Sequence, residues 1–78
     1  MENKIKKGRL KILKFEGNET FYVQFKNGEI PLHSKLIDNL GYTKLEQMEN
    51  QIFTWEISIW NHMAKKIEDR FRITKLIR

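Results

Sequence analysis

Apolar and polar residues alternate in several short segments of this chain, which is the pattern of half-buried β-strands. In the clearest segment, Phe21, Val23 and Phe25 alternate with Tyr22 and Gln24. One face of that strand is therefore apolar and the other is more polar. The same reasoning along the whole chain predicts five strands, at Lys6–Phe15, Thr20–Lys26, Glu29–His33, Ile52–Ile59 and Arg70–Ile77.

Turn-forming residues separate the first three strands. Residues 16–19 predict a turn, and Asn27-Gly28 predicts a tight hairpin because both residues tolerate a positive φ. The adjacent apolar pair Ile12-Leu13 interrupts the alternation of the first strand, which indicates a bulge or a strongly coiled strand. Pro31 has no amide hydrogen to donate, so we expect it at an edge or a non-bonded position.

The segment between the third and fourth strands has a different pattern. Ser34–Leu40 predicts a short helix, with Ser34 as a plausible N-cap and Gly41 ending it. Residues 42–50 predict a polar connector with a few apolar anchors, and residues 60–69 predict a long loop or a brief helix.

Five strands with a helical insert after the third give the element order of an all-β, five-stranded OB-fold, a Greek-key barrel with a short helix between strands 3 and 4. An SH3-like barrel also has five short strands and is the main alternative, but the insert favours the OB-fold. The chain has 78 residues, which is one small domain over residues 1–78.

Charge is distributed unevenly along the chain, whose net charge is +5. Residues 1–14 hold six basic residues against one acidic residue, residues 15–64 hold three against seven, and residues 65–78 hold six against two. Basic ends around an acidic middle are typical of a fold whose termini frame a site for a polyanion, and equally of ends that are simply solvated.

Composition argues against several function classes. The chain has no cysteine, which excludes disulfides, zinc–thiolate sites and cysteine nucleophiles, and favours a cytoplasmic location for a domain this small. We expect no signal peptide and no membrane span. No nucleophile elbow or glycine-rich phosphate loop is present, and His62 has no second ligand at metal spacing, so we expect no enzyme, cofactor or metal.

The segment Asn18–Gly28, followed by Leu32-His33-Ser34, resembles bacterial translation initiation factor one, in which a strand ends in an asparagine–glycine turn and the return strand ends in a histidine. Phe53–Ile57 looks like the fourth strand of that family, and Arg70–Arg78 looks like its basic closing strand. The resemblance implies a single OB domain that binds RNA in the cytoplasm.

A second resemblance is to the cold-shock domain. Residues 8–11 are similar to its opening strand, residues 30–33 to its RNA-contact strand, and residues 41–45 to the loop before its fourth strand. This family also implies an RNA-binding OB domain, and it places Lys11 in a phosphate-facing position. The chain has Ile12 where that family has an aromatic residue, which leaves Tyr22 and His33 as the stacking groups.

We therefore expect non-catalytic binding of RNA, ribosomal RNA included, or of single-stranded nucleic acid more broadly. A basic track would contact phosphates, while Tyr22, His33 and Trp60 would contact bases or sugars. The mechanism requires these groups to share one face. The basic residues expected to contact phosphates are Lys11, Lys35, Lys65, Lys66, Arg70 and Arg72.

The alternative is a protein-binding module that keeps the barrel and has lost the nucleic-acid surface. Such a protein would be an adaptor, an assembly component or an inhibitor, phage-encoded or otherwise. An exposed patch at residues 60–63, with Trp60 and Met63, would supply its hot spot.

Overall fold

A computed structural model describes residues 3–78, and these form five strands and three short helices. Glu2, counted above in the charge of the N-terminal segment, lies outside the described residues together with Met1. No helix within 3–78 is long and apolar enough to cross a membrane. In chain order the elements are β1 (Lys4–Phe15), β2 (Asn18–Phe25), β3 (Gly28–Pro31), α1 (Ser34–Leu40), α2 (Tyr42–Met48), β4 (Ile52–Ile59), α3 (Ile67–Arg70) and β5 (Phe71–Leu76).

The strands form one antiparallel sheet in the order β3-β2-β1-β4-β5. β1 lies in the middle and divides its length between two partners. Residues 9–15 pair with β2 and residues 4–9 pair with β4, so Arg9 alone pairs with both. The two edges of the sheet approach each other at an isolated parallel bridge between Leu32 and Ile73, where His33 N donates to Ile73 O at 2.8 Å.

Gly8 and Trp55 fix the point at which β1 changes partner. A Cβ on Gly8 would lie 2.3 Å from Val23 Cγ1 and 2.6 Å from Phe25 Cε1, distances that no side chain could occupy. The indole of Trp55 is fully buried, and its Nε1 donates to the Gly8 carbonyl at 3.1 Å. Because Gly8 has no side chain, β2 can pack closely against β1 at this point. The Gly8 carbonyl is hydrogen-bonded by Trp55, the largest residue of the core.

The hydrophobic core lies between the concave face of the sheet and the helical segment. Helix α1 contributes one buried residue and α2 contributes two. The buried residues are Leu10, Phe21, Val23, Ile30, Leu32, Leu36, Leu45, Met48, Trp55, Ile57 and Ile73.

The predicted polar connector after Gly41 was wrong, because residues 42–48 form helix α2. Leu45 and Met48 lie three positions apart, which places them on one helical face, and both are buried. Gly41, with φ of 83°, is both the C-cap of α1 and the N-cap of α2. Because glycine has no side chain, α2 begins without the side-chain cap that would have indicated a helix start in the sequence. Of the two alternatives for residues 60–69, the structure has both in part: residues 60–66 are a loop, and the brief helix that follows is α3.

The predicted bulge at Ile12-Leu13 was wrong, and the predicted hairpin at Asn27-Gly28 is confirmed with its turn one residue earlier. The β1–β2 register is regular through Ile12-Leu13, and the irregularity instead lies in β4, between Glu56 and Ile57, opposite β5. The β2–β3 hairpin turns at residues 26–27, because Phe25 pairs with Gly28. Gly28 is the residue with the unusual backbone, at φ of 147°.

We expect the Trp55→Phe variant to lose roughly 2 kcal/mol or more of its free energy of unfolding. The smaller ring leaves a cavity, and the buried Gly8 carbonyl loses the indole donor. Urea denaturation followed by circular dichroism measures the change. The matched Trp60→Phe variant, at a tryptophan that is 57% exposed, should lose less than about 1 kcal/mol. Equal losses in the two variants would contradict the role given to Trp55.

Candidate nucleic-acid interface

His33, Trp60 and Arg72 form a cluster where β3, β4 and β5 come together, in which Trp60 is exposed and the other two side chains are half-buried. The rings of His33 and Trp60 meet edge to face, with 5.0 Å between centroids. The Arg72 guanidinium carbon lies 5.5 Å from the centroid of the Trp60 ring, within cation–π range. We call these three residues the aromatic–arginine cluster. They come from three elements, and only the folded sheet brings them together.

The orientation of His33 follows from its place before α1. Its Nδ1 accepts a hydrogen bond from the Lys35 amide at 3.1 Å, which caps the helix. The neutral imidazole therefore carries its proton on Nε2. The expected N-cap, Ser34, is instead the first helical residue.

Arg72 and Trp60 are held by backbone groups around β5. Arg72 Nη1 donates to Glu68 O at 2.6 Å and to Phe71 O at 2.9 Å. Trp60 N donates to Arg70 O at 2.7 Å, which continues the strand pairing by one residue. One guanidinium nitrogen makes both contacts, so the remaining donors of Arg72 are left for a ligand.

Lys11 and Tyr22 form a second group on the convex face of the sheet. They are direct partners across β1 and β2, and Tyr22 is in turn the partner of Pro31 on β3. The Lys11 ammonium donates to Asn50 Oδ1 at 2.9 Å. Lys11 and Tyr22 thus share a face, which the sequence had left open, but part of the hydrogen-bonding capacity of Lys11 is already used.

Acidic residues surround Tyr22, and sequence reasoning did not anticipate them. Tyr22 lines a shallow depression together with Pro31, Glu29 and Glu68. Burial raises the pKa of the Tyr22 phenol, and the charge of Glu29 raises it further. Carboxylates repel phosphates, so this depression suits a base edge or a sugar hydroxyl. Glu68 reaches it from α3, a position that depends on tertiary structure alone.

The other predicted residues lie around the aromatic–arginine cluster or in the loop beside it. Lys35 is exposed in the first turn of α1, next to His33. Lys65 and Lys66 are exposed in the connection that leads from Trp60 to α3. Arg70 ends α3 with its guanidinium carbon 5.8 Å from the centroid of the Phe71 ring.

Few of the charges near this surface are neutralised by contact. The one salt bridge found within residues 3–78 joins Lys14 to Glu46 at 3.7 Å, outside the predicted site. In the same part of the chain, no three His, Cys, Asp or Glu side chains lie close enough to hold a metal ion. The chemistry this surface offers is therefore that of cations, aromatic rings and hydrogen-bond donors.

The surroundings of Tyr22 predict a measurable titration. In a Tyr42→Phe background, the phenol of Tyr22 should ionise above its ordinary pKa, and Glu29→Gln should shift the midpoint downward. The neutral phenol is the form favoured by folding, so its stabilising contribution is present below the unfolded pKa and is lost as pH rises through the raised value. Ultraviolet absorbance of the phenolate measures the midpoint.

The matched control for this titration is Glu46→Gln, which removes one carboxylate from α2. It should leave the midpoint of Tyr22 where it was. A midpoint that is unmoved by Glu29→Gln, or moved equally by Glu46→Gln, would contradict the local origin of the shift.

Comparisons with known proteins add no residues to this surface. The chain matches no family model, no curated protein and no solved structure. The function of the surface must therefore be argued from its own groups: an exposed indole held between an imidazole and a guanidinium, with lysines around it and carboxylates at one side.

Proposed function

We propose that this protein binds RNA, or single-stranded nucleic acid more broadly, without catalysis. The observation that supports this most is the aromatic–arginine cluster. An exposed indole in contact with a guanidinium and an imidazole offers a base a stacking surface and offers the adjoining phosphate a cation. A purely structural tryptophan would be expected inside the core, as Trp55 is.

We propose further that the architecture is a five-stranded Greek-key barrel of the OB type. The strand order, the long shared β1 and the bridge between Leu32 and Ile73 support it. So does the position of α1 and α2 between the third and fourth strands. In this architecture the connection between the last two strands often contributes to ligand binding, and here that connection begins at Trp60.

In the proposed mode of binding, the groups described above contact different parts of the nucleic acid. Trp60 and His33 contact bases, each stacked base contributing about 1–3 kcal/mol. Arg72 contacts a phosphate, as do Lys35, Lys65, Lys66 and Arg70 around it. Lys11 contacts a phosphate at the far end of the track, and Tyr22, flanked by carboxylates, meets a sugar or a base edge. Such contacts position a strand and read little sequence.

The test is a fluorescence-anisotropy titration of short labelled RNA and DNA strands at two salt concentrations. With roughly four to six phosphates engaged, the log–log salt slope should be about −3 to −4. Trp60→Ala should weaken binding roughly tenfold or more, since it removes a stacked base. Arg72→Gln should weaken binding and reduce the magnitude of the slope by about 0.7.

The matched control is Lys75→Gln, which removes one positive charge from the same strand at an exposed position. It should have a smaller effect than Arg72→Gln. Absence of saturable binding at low salt would refute the proposal, as would equal effects of the two charge removals.

Protein binding through residues 60–63 is the second candidate. The observation in its favour is that Met63 is 88% exposed and Trp60 is 57% exposed, beside each other on one loop. Met63→Ser separates the two functions. It should leave nucleic-acid binding unchanged in the titration above, whereas a protein interface centred on this patch would lose a large part of its affinity.

A further inference from the structure

A cavity with a lysine rim lies away from the aromatic–arginine cluster, at the end of the sheet where β1 begins. Its volume is about 270 Å³. The N-terminal half of β1, the β2–β3 hairpin and α3 surround it. Four lysines stand around it, and they are Lys4, Lys6, Lys7 and Lys26.

Two of these lysines are on the core-facing side of the sheet. Lys4 is paired with Ile57 and Lys6 with Trp55, and cross-strand partners in an antiparallel pair lie on the same face. Ile57 and Trp55 are both buried, so the sequence places cations where the pattern of β4 calls for apolar side chains. Lys4 Nζ lies 5.7 Å from the centroid of the Phe71 ring.

The floor of the cavity is apolar and includes two aromatic rings. Phe25 and Phe71 line it, together with isoleucines that include Ile67 of α3. The amide side chain of Asn27, in the hairpin turn, supplies a neutral hydrogen-bonding group at the rim. Of the residues in 3–78, no carboxylate lines this cavity.

These groups determine which class of ligand the cavity can bind. Several ammonium groups call for more than one negative charge, and a phosphomonoester carries about −1.5 to −2 at neutral pH, against −1 for a carboxylate. Phenylalanine rings offer stacking surfaces to a planar ring, and an amide can pair with a base edge. The volume lies just below the range of about 300–1,000 Å³ typical of whole-ligand pockets, which suits a single nucleotide.

We propose that this cavity binds a nucleoside phosphate, either as a free mononucleotide or as the phosphorylated end of a strand. The ring lies against Phe25 and Phe71, and the phosphate lies among Lys4, Lys6 and Lys26, because Lys7 alternates to the opposite face of β1. The proposal does not depend on the function proposed above, because none of the residues of the aromatic–arginine cluster lines the cavity.

The experiment is an NMR titration of the full chain with adenosine monophosphate, followed through backbone amide shifts. Saturable shifts should be confined to the first half of β1, the end of β2 with the β2–β3 turn, α3 and the start of β5. Adenosine and inorganic phosphate, each lacking half of the ligand, should bind at least about tenfold more weakly, since a charge-assisted hydrogen bond contributes about that factor. A short strand with and without a terminal phosphate separates the two sources.

Variants distinguish the cavity from general attraction to a basic protein. Lys6→Gln and Lys26→Gln should each weaken binding of the mononucleotide about tenfold. Lys44→Gln, which removes the same charge from an exposed position on α2, should change it little. The amides of β1 and α3 report on the cavity, and those of Trp60 and Arg72 report on the nucleic-acid surface, so failure of the cavity and failure of that surface are separate results.

Four outcomes would overturn the proposal. If adenosine bound as tightly as its monophosphate, the lysines would contribute nothing to the affinity. Equal effects of Lys44→Gln and Lys6→Gln would indicate unspecific attraction. Shifts centred on His33, Trp60 and Arg72 would assign the nucleotide to the other surface. Shifts at the cavity with an acidic peptide, and none with the mononucleotide, would assign it to a protein partner.

Discussion

The contact between Trp55 and Gly8 is the constraint on which the rest of the structure depends. β1 must leave β2 and join β4 within a few residues, and it does so where a side chain would collide with Val23 and Phe25. The indole of Trp55 fills the space beneath and donates a hydrogen bond to the buried Gly8 carbonyl. Because β1 can turn there, the sheet curls, and its two edges approach each other and meet at the isolated bridge between Leu32 and Ile73. That meeting is what brings His33 to Trp60 and Arg72.

The curvature of the sheet produces a different environment at each of the two candidate sites. On the outside, strand ends converge and place aromatic and cationic side chains from three elements beside one another. At the end of the sheet where β1 starts, the core is not filled by apolar side chains, and lysines stand over its aromatic floor. Both sites place positive charge next to ring surfaces, although they share no residue. Two carboxylates, Glu29 from the hairpin and Glu68 from α3, line the depression at Tyr22 and shape which part of a ligand fits there.

Local patterns in the sequence were sufficient for the strands, because alternation is a property of neighbouring residues. β2 and β4 follow it closely, and their buried residues, Val23 and Trp55 among them, are those that the alternation assigns to the core. Helix α2 was missed because its only strong signals are Leu45 and Met48, a single pair at helical spacing within a polar segment. The grouping of His33 with Trp60, and of Glu68 with Tyr22, arises from contacts between residues distant in the chain. Periodicity carries no information about such contacts.

The division of β1 between two partners also orders the events of folding. β1, β2 and β3 form two hairpins with two-residue turns, so their pairing joins residues that are close in sequence and costs little chain entropy. The pairing of β1 with β4 joins residues separated by most of the chain, so it costs more chain entropy and we expect it to follow the two hairpins. Until then the first half of β1 is a bare strand edge whose alternating lysines discourage another chain from adding to it. The lysines that line the cavity in the folded protein therefore also oppose the addition of another chain to this strand during folding.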